Sequence, residues 1–435
     1  MNTENKVKPR MGDTSWFVHD RFGLFIHFGL YSMPGRHEWV KSREQMTEQQ
    51  YETYFKYFDP DLFDAQKWAQ DAKNAGMKYV VITAKHHDGF CLWDSKYTDY
   101  KITNTPFGRD LFKEFTDACK AAGLRVGLYY SLLDWHHPEF TIDVLHPRHN
   151  DPDAYEQNQG RDMRKYAQYM RDQMTELLTN YGDIDILWFD YSYAERNGTG
   201  DQAWMKGKTK YDWEAEELIA LARSIRPGII VNNHSDVEQD LWNAQLYQPL
   251  EYMRHGVDGP WRDRRTLVWE SCQTFGGPSW GYNRDDATQK TPDMLVRMLI
   301  NAVSYGGNLM FNVGPTGRGE FGDAVQADLK AIGEWMRVHK RSIYGCVQSD
   351  FKAPQDCRYT QNGNRLYLHI FAWPFRNIIL EGLADKIAYC QLLNDGSEIP
   401  WRTTDIKLAL NGRVALELPT IRPDVLVPVI EIILK

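Results

Sequence analysis

The feature that most narrows what this chain can fold into is an alternation. Between about Phe22 and Asn312, seven short apolar runs (23–27, 79–83, 125–131, 184–190, 228–232, 266–270 and 308–312) are separated by longer polar or amphipathic stretches. Helix-like patterning covers 60–75, 110–122, 162–181, 213–225 and 292–304. A buried strand followed by an amphipathic helix, repeated, is the βα unit of parallel sheets. An eighth, weaker strand is expected around 243–247. Eight such units predict a (β/α)8 TIM-like barrel, with an open doubly wound sheet as the alternative, since alternation does not itself show closure. The barrel is favoured because polar, aromatic and ionisable residues gather where the runs end: His27, His86, His87, Tyr130, Asp190, Glu270 and Asn312. A barrel builds its active site on that face.

After about Gly345 the pattern changes to short strand-like pieces at 366–371, 378–380, 387–392, 414–417 and 425–433, with turn signals at Asn362-Gly-Asn and Asn394-Asp-Gly. The reading is a catalytic barrel over 1–345 and a small C-terminal antiparallel β-sandwich over 346–435, as 435 residues exceed one compact core.

Composition excludes several classes. A net charge of −8 and no long basic stretch argue against nucleic acid as a partner. No apolar run approaches the length of a membrane span. The first fifteen residues, MNTENKVKPRMGDTS, lack the apolar core of a secretory signal, so a cytoplasmic location is expected. Six cysteines, at 91, 119, 272, 346, 357 and 390, show neither metal-ligand spacing nor the density of a disulfide scaffold, and are expected as free thiols. The sequence sets no oligomeric state, and a homo-oligomer is allowed. The 15 Trp, 24 Tyr and 19 Phe stand often beside His, Asp and Glu, where aromatic faces can meet sugar C–H surfaces as well as fill a core.

Asp190 closes the apolar run IDILWFD, which delivers a carboxylate to the barrel mouth, placed for nucleophilic attack or for capping the next helix. Lys85-His-His-Asp-Gly-Phe offers two adjacent imidazoles at another strand end. Neighbouring residues there point to different sides, so zinc is not expected. Hydroxyl recognition suits imidazoles that both donate and accept, and a core histidine bonded to backbone is the plain alternative for one of them. Glu38-Trp39, in the loop after His27, reads as a hydroxyl acceptor beside a stacking platform, or as a surface ion pair. No serine nucleophile elbow, P-loop or dinucleotide turn is present.

In the order FGLFIHFGLYS, HEWV, AGMKYVVITAKHHDGFCLWDS, GLYYSLLDW, ILWFD, VWESC, SWGYN and GGNLMFNVGPTGRG, the chain resembles glycoside hydrolase family 29, the α-L-fucosidases. The resemblance implies a retaining double displacement on terminal α-L-fucosyl groups of oligosaccharides or glycoconjugates, with no metal or cofactor. It makes Asp190 the nucleophile and His27, Glu38, Trp39, His86, His87 and Tyr130 sugar-binding residues, with Tyr129 the alternative if the strand register is one residue off. Trp188, two residues before the nucleophile, is expected to face the same pocket. For the acid/base, Glu251 in YQPLEYM is preferred over Glu270 in VWESC. A loop carboxylate can approach the glycosidic oxygen, and retention requires it about 5–5.5 Å from the nucleophile. Trp280 and Phe311 are candidates for an apolar wall against the fucose methyl. Two departures stand out: His234 in VNNHS where the family often carries arginine, and Tyr191 where glycine commonly follows the nucleophile. These departures keep open an enzyme for another α-L-sugar such as an α-L-galactoside; a catalytically silent carbohydrate-binding scaffold is the alternative from another class.

Overall fold

The computed structural model describes residues 12–237, 240–246, 268–403 and 412–435. Eight parallel strands build the first unit: β1 Phe22–Ile26, β2 Tyr79–Lys85, β3 Arg125–Ser131, β4 Ile186–Asp190, β5 Ile230–Val231, β6 Trp242–Gln245, β7 Trp269–Thr274 and β8 Asn308–Val313. Their order in the sheet is β5-β4-β3-β2-β1-β8-β7-β6. That is chain order taken once round a ring, with β1 paired to both β2 and β8. A doubly wound sheet would instead reverse its order at a switch point. The ring has one thin seam, between β5 and β6, crossed by a parallel bridge from Asn232 to Leu241. The barrel expectation therefore holds, and β6 is the weak eighth strand.

Several helices start where an aspartate or threonine caps them. Asp64, Asp110 and Thr291 accept hydrogen bonds from the backbone N–H of Lys67, Lys113 and Met294, opening the helices Ala65–Asn74, Leu111–Ala121 and Pro292–Ser304. Each such cap contributes about 1 kcal/mol by satisfying an orphan donor. The helices lay their apolar faces on the barrel, so the strands read as unbroken apolar runs.

The sequence misplaces one strand end. The run 266–270 was expected to finish at Glu270, whereas β7 continues to Thr274. All but the first of its residues, Glu-Ser-Cys-Gln-Thr, break the apolar pattern yet are wholly buried, because alternate residues face a barrel interior that holds polar partners. Glu270 is consequently the second residue of its strand, far from the mouth.

From Val347 onward the strands are antiparallel. One sheet has the order β13 (Ile387–Leu392), β16 (Val429–Leu434), β11 (Arg365–Ile370), β10 (Cys357–Asn362) and β9 (Val347–Gln348). The other has the order β12 (Asn377–Glu381), β15 (Arg413–Glu417) and β14 (Trp401–Arg402). A separate apolar core, including Leu366, Leu368, Leu380, Val414, Leu416 and Ile432, lies between them. β10, too polar to register as a strand in the sequence, turns into β11 through Gly363-Asn364, with Gly363 at φ +58°. The Trp335 indole donates to the Val427 carbonyl at 2.8 Å and ties this unit to the last barrel helix, Asp323–His339.

All six cysteines are free and buried. Among the described residues no helix is long and apolar enough to cross a membrane.

Candidate active site

The C-terminal mouth of the barrel opens into a cavity of about 480 Å³. Its wall includes Phe25, His27, Glu38, Trp39, His86, His87, Tyr129, Trp188, Asp190, Tyr191 and Trp280. A hollow of about 880 Å³ lies elsewhere, between Asp71–Lys78 and Gln326–Lys340. It brings together lysines and helix surface, with no carboxylate held by other side chains in the way Asp190 is.

Asp190 ends β4 and is held from several sides. The Tyr129 hydroxyl donates to Oδ2 at 2.9 Å, His234 Nδ1 lies 3.3 Å from Oδ1, and His87 Nε2 lies 3.9 Å from Oδ2. Burial alone would raise the carboxyl's pKa, but the hydrogen bonds from His234 and from the Tyr129 hydroxyl help to outweigh it, leaving the group below the ordinary carboxylate value. The backbone beside it is equally constrained. β5 is only two residues long, and beyond it the Asn232 amide replaces ladder bonds, accepting from Phe189 N at 2.8 Å and donating to Phe189 O at 2.9 Å.

The imidazoles are fixed in neutral form with their lone pairs turned inward. Ser131 gives its one hydroxyl proton to the Leu133 carbonyl, so His87 Nδ1, 2.6 Å from Ser131 Oγ, must be the donor there. Asn312 likewise donates to the Trp280 carbonyl through its amide and offers its oxygen to His27 Nδ1 at 2.5 Å. Burial pushes the pKa of His27 down to about 3 and that of His87 to about 4. Both Nε2 atoms are therefore acceptors at neutral pH, suited to sugar hydroxyls. His86 is buried with Nδ1 unpartnered and its ring stacked 5.6 Å from Tyr129. Both adjacent histidines reach the cavity because β2 stops at Lys85 and the chain turns, which the strand-based expectation of divergence did not allow for.

Glu38 is almost fully buried. Its Oε2 accepts from Trp280 N at 3.0 Å, Gly281 N at 2.9 Å and the Ser279 hydroxyl at 3.3 Å, leaving Oε1 for a ligand. The chain passes close at Gly281, where a Cβ would stand 3.1 Å from Glu38 N and 3.0 Å from the Tyr31 ring, so that a larger residue would have to push Glu38 or Tyr31 aside. Trp39 packs edge-on to His87, and Trp280 stacks on His27.

Four expected residues do not line this cavity, and one of them, His234, is bonded to the nucleophile instead. Tyr130 points the other way, donating to Gln173 at 2.8 Å under the Lys85 ammonium. Tyr129 takes the inward position, because β3 pairs Tyr129 with Trp188 and Ser131 with Asp190, and period-two alternation then sends Tyr130 outward. Glu270 is bound inside the barrel to Tyr79, at 2.5 Å, and Asn243, at 3.2 Å, and burial raises its pKa to about 7. Phe311 packs on Phe22 and Phe275, facing the helices. Glu251 lies outside the described residues. Among those described, no cluster of three metal-ligating side chains occurs.

A carboxylate kept ionised, bonded to a phenol and to the His234 imidazole and flanked by indoles, can form and release a glycosyl ester. The comparisons agree with that chemistry. The sequence profile of the family described as alpha-L-fucosidase matches residues 2–341. The chain is similar to human plasma alpha-L-fucosidase, 29% identical over 93% of this chain and 85% of that protein. It is similar to the structure of alpha-L-fucosidase isoenzyme 1 from Paenibacillus thiaminolyticus, with TM-score 0.88 and 40% identity over 97% of this chain and 98% of that one. A Bacteroides thetaiotaomicron alpha-L-fucosidase, solved as a covalent intermediate trapped with 2-fluoro-fucosyl fluoride, shares 27% identity with TM-score 0.79, covering 96% and 95% of the two chains. A match over most of the length, with 40% identity to a solved relative, places the chain in the α-L-fucosidase family, glycoside hydrolase family 29.

Proposed function

We propose that the chain releases terminal α-L-fucosyl groups from oligosaccharides or glycoconjugates with retention, using Asp190 as nucleophile and Glu251 as acid/base. The observation that carries the reading is the Asp190 carboxylate, held ionised at the mouth of β4 with a free path to the cavity. In the first step an Asp190 oxygen bonds to the anomeric carbon as the glycosidic C–O bond breaks, and the acid/base protonates the departing oxygen. In the second, water gives its proton to the same acid/base, bonds to that carbon, and Asp190 leaves as carboxylate. The trapped intermediate of the Bacteroides relative supports retention here. Gln245 and Leu246, just before the segment carrying Glu251, line the cavity, which favours Glu251 over the sequestered Glu270.

His27 and His87 take sugar hydroxyl protons on Nε2, Glu38 takes another on Oε1, and Trp188 and Trp280 give an apolar wall for the C–H face and methyl. His234 replaces the family's arginine by contacting the nucleophile rather than presenting a fork to the sugar. A cytoplasmic location is the one that six unpaired thiols support.

Incubation with 2-fluoro-fucosyl fluoride followed by peptide mass spectrometry should place the label on Asp190. Asp190→Gly should lose roughly 10³-fold or more in kcat on p-nitrophenyl α-L-fucoside and regain turnover with azide. Label elsewhere, or faster turnover of the α-L-galactoside, would overturn the nucleophile or the sugar respectively.

A further inference from the structure

The sugar-binding floor of the cavity is buried, but its rim is not. Two exposed arginines, Arg43 and Arg196, belong to the wall on the outward side, together with Ser42, Val144, Leu145 and Tyr191. Among the described residues of this acidic chain most arginines sit against a carboxylate, as Arg36 does with Glu44, Arg109 with Glu114 and Arg318 with Asp61. Arg43 and Arg196 make no side-chain hydrogen bond or ion pair with another described residue. Glu44, next to Arg43, is already taken by both ends of the Arg36 fork, and Glu195, next to Arg196, is not paired with it.

The rim that carries them is built in advance. Ser42 donates to the Leu145 carbonyl at 2.9 Å, joining the short helix Val40–Arg43 to the loop after β3. Asp143 then joins that loop to the one after β4, accepting from the Tyr193 hydroxyl at 2.6 Å and from the buried Lys208 ammonium. Between floor and arginines stands Tyr191, whose ring lies 6.0 Å from Trp39 and 6.2 Å from His87. Its backbone is held at φ +143°, a region that costs a non-glycine residue roughly 1–3 kcal/mol. The strain sets an aromatic face at the boundary between buried floor and charged rim.

A retaining exo-enzyme expels its leaving group on the side away from the nucleophile, and an exo-acting cavity has only its outward rim to receive it. A cavity of about 480 Å³ has room for more than one monosaccharide ring, so part of the leaving group is enclosed as well. We infer that the rim is a leaving-group subsite for an anionic sugar: a residue stacked on Tyr191 and bearing a sulfate or carboxylate that meets Arg43 and Arg196. Guanidinium forks match the planar or tetrahedral oxyanion with paired hydrogen bonds. The inference rests on the fucosidase reading.

The test measures kcat/KM for two matched pairs of substrates: α-L-fucosyl N-acetylglucosamine with and without a 6-sulfate, and fucosyl glucuronic acid against fucosyl glucose. p-Nitrophenyl α-L-fucoside reports the fucosidase reaction itself. The anionic member should exceed its neutral match by roughly fivefold or more at low salt. That ratio should fall towards one in 0.5 M NaCl and in the R43Q/R196Q double variant, persist in part in R43K/R196K, and invert in R196E. Preference in the sulfate pair alone identifies sulfate as the anion, and preference in the uronic pair alone identifies carboxylate. Turnover of the aryl fucoside with ratios near one in both pairs, or a preference that the double variant keeps, overturns the subsite. No turnover of any fucoside overturns the fucosidase reading and the subsite with it.

Discussion

The hydroxyl of Tyr129 is the smallest unit in the site whose removal has a signed consequence. It donates to the ionised form of Asp190, so it favours the charge that attack requires. Tyr129→Phe should let the Asp190 pKa rise towards the ordinary value, moving the acid limb of the kcat/KM profile to higher pH and lowering kcat about tenfold or more. A profile on p-nitrophenyl α-L-fucoside from pH 3 to 7 reads both effects, and an acid limb that stays in place contradicts this role. Tyr130→Phe should leave that limb where it is, because its hydroxyl is spent on Gln173. The choice between these two tyrosines was open in the sequence. Strand alternation from Trp188 and Asp190 fixes which residues of β4 face inward, but not how β3 is registered against it, and register is a property of two chains' hydrogen bonds. Asn232, by contrast, gave no signal at all: an asparagine that braces a nucleophile's backbone looks like any loop asparagine until its partners are seen.

Among the elements, the loops after β3 and β4 depend on one buried carboxylate. Asp143 is fully buried and binds Lys208, itself 2% exposed, together with Tyr193. Asp143→Ala strands the lysine charge in the interior, which should cost about 3–5 kcal/mol in chemical denaturation. If the variant folds, the loosened rim should raise KM for fucosyl disaccharides several-fold more than for the aryl fucoside; equal effects on the two would separate the loops from the leaving group. The strands that the sequence announced were those carrying a continuous apolar stretch, such as 79–82 in β2 and 309–311 in β8. β7 and β10 were misjudged because polar residues bury there when a partner crosses the barrel or the sheet, and such partners are remote in the chain, as Tyr79 is from Glu270.

Taken whole, the barrel holds a titration in its middle. Glu270 has its pKa raised by burial to about 7 from an ordinary 4.5, so the folded state binds a proton that the unfolded chain has released. Folding stability from this group is complete below pH 4.5 and declines as pH rises to about 7, by roughly 3 kcal/mol in all. Glu270→Gln, which keeps the Tyr79 hydrogen bond, should flatten the stability profile over that window and raise stability at pH 8; denaturant melts from pH 4 to 8 would show it, and an unchanged slope would refute it. The overall architecture was legible because closure of a βα repeat leaves few alternatives, and the weak eighth strand was found by counting. The seam beside it was not, since it depends on how far β5 and β6 reach. The buried cysteines carry a practical consequence. Burial pushes the thiols of Cys91, Cys119, Cys346, Cys357 and Cys390 up to about 12, and that of Cys272 well above its ordinary value, so none offers a thiolate at neutral pH. The native protein is thus silent towards maleimides while folded, and a single cysteine placed at an exposed site such as Tyr211 can carry a fluorophore or spin label with no native thiol removed.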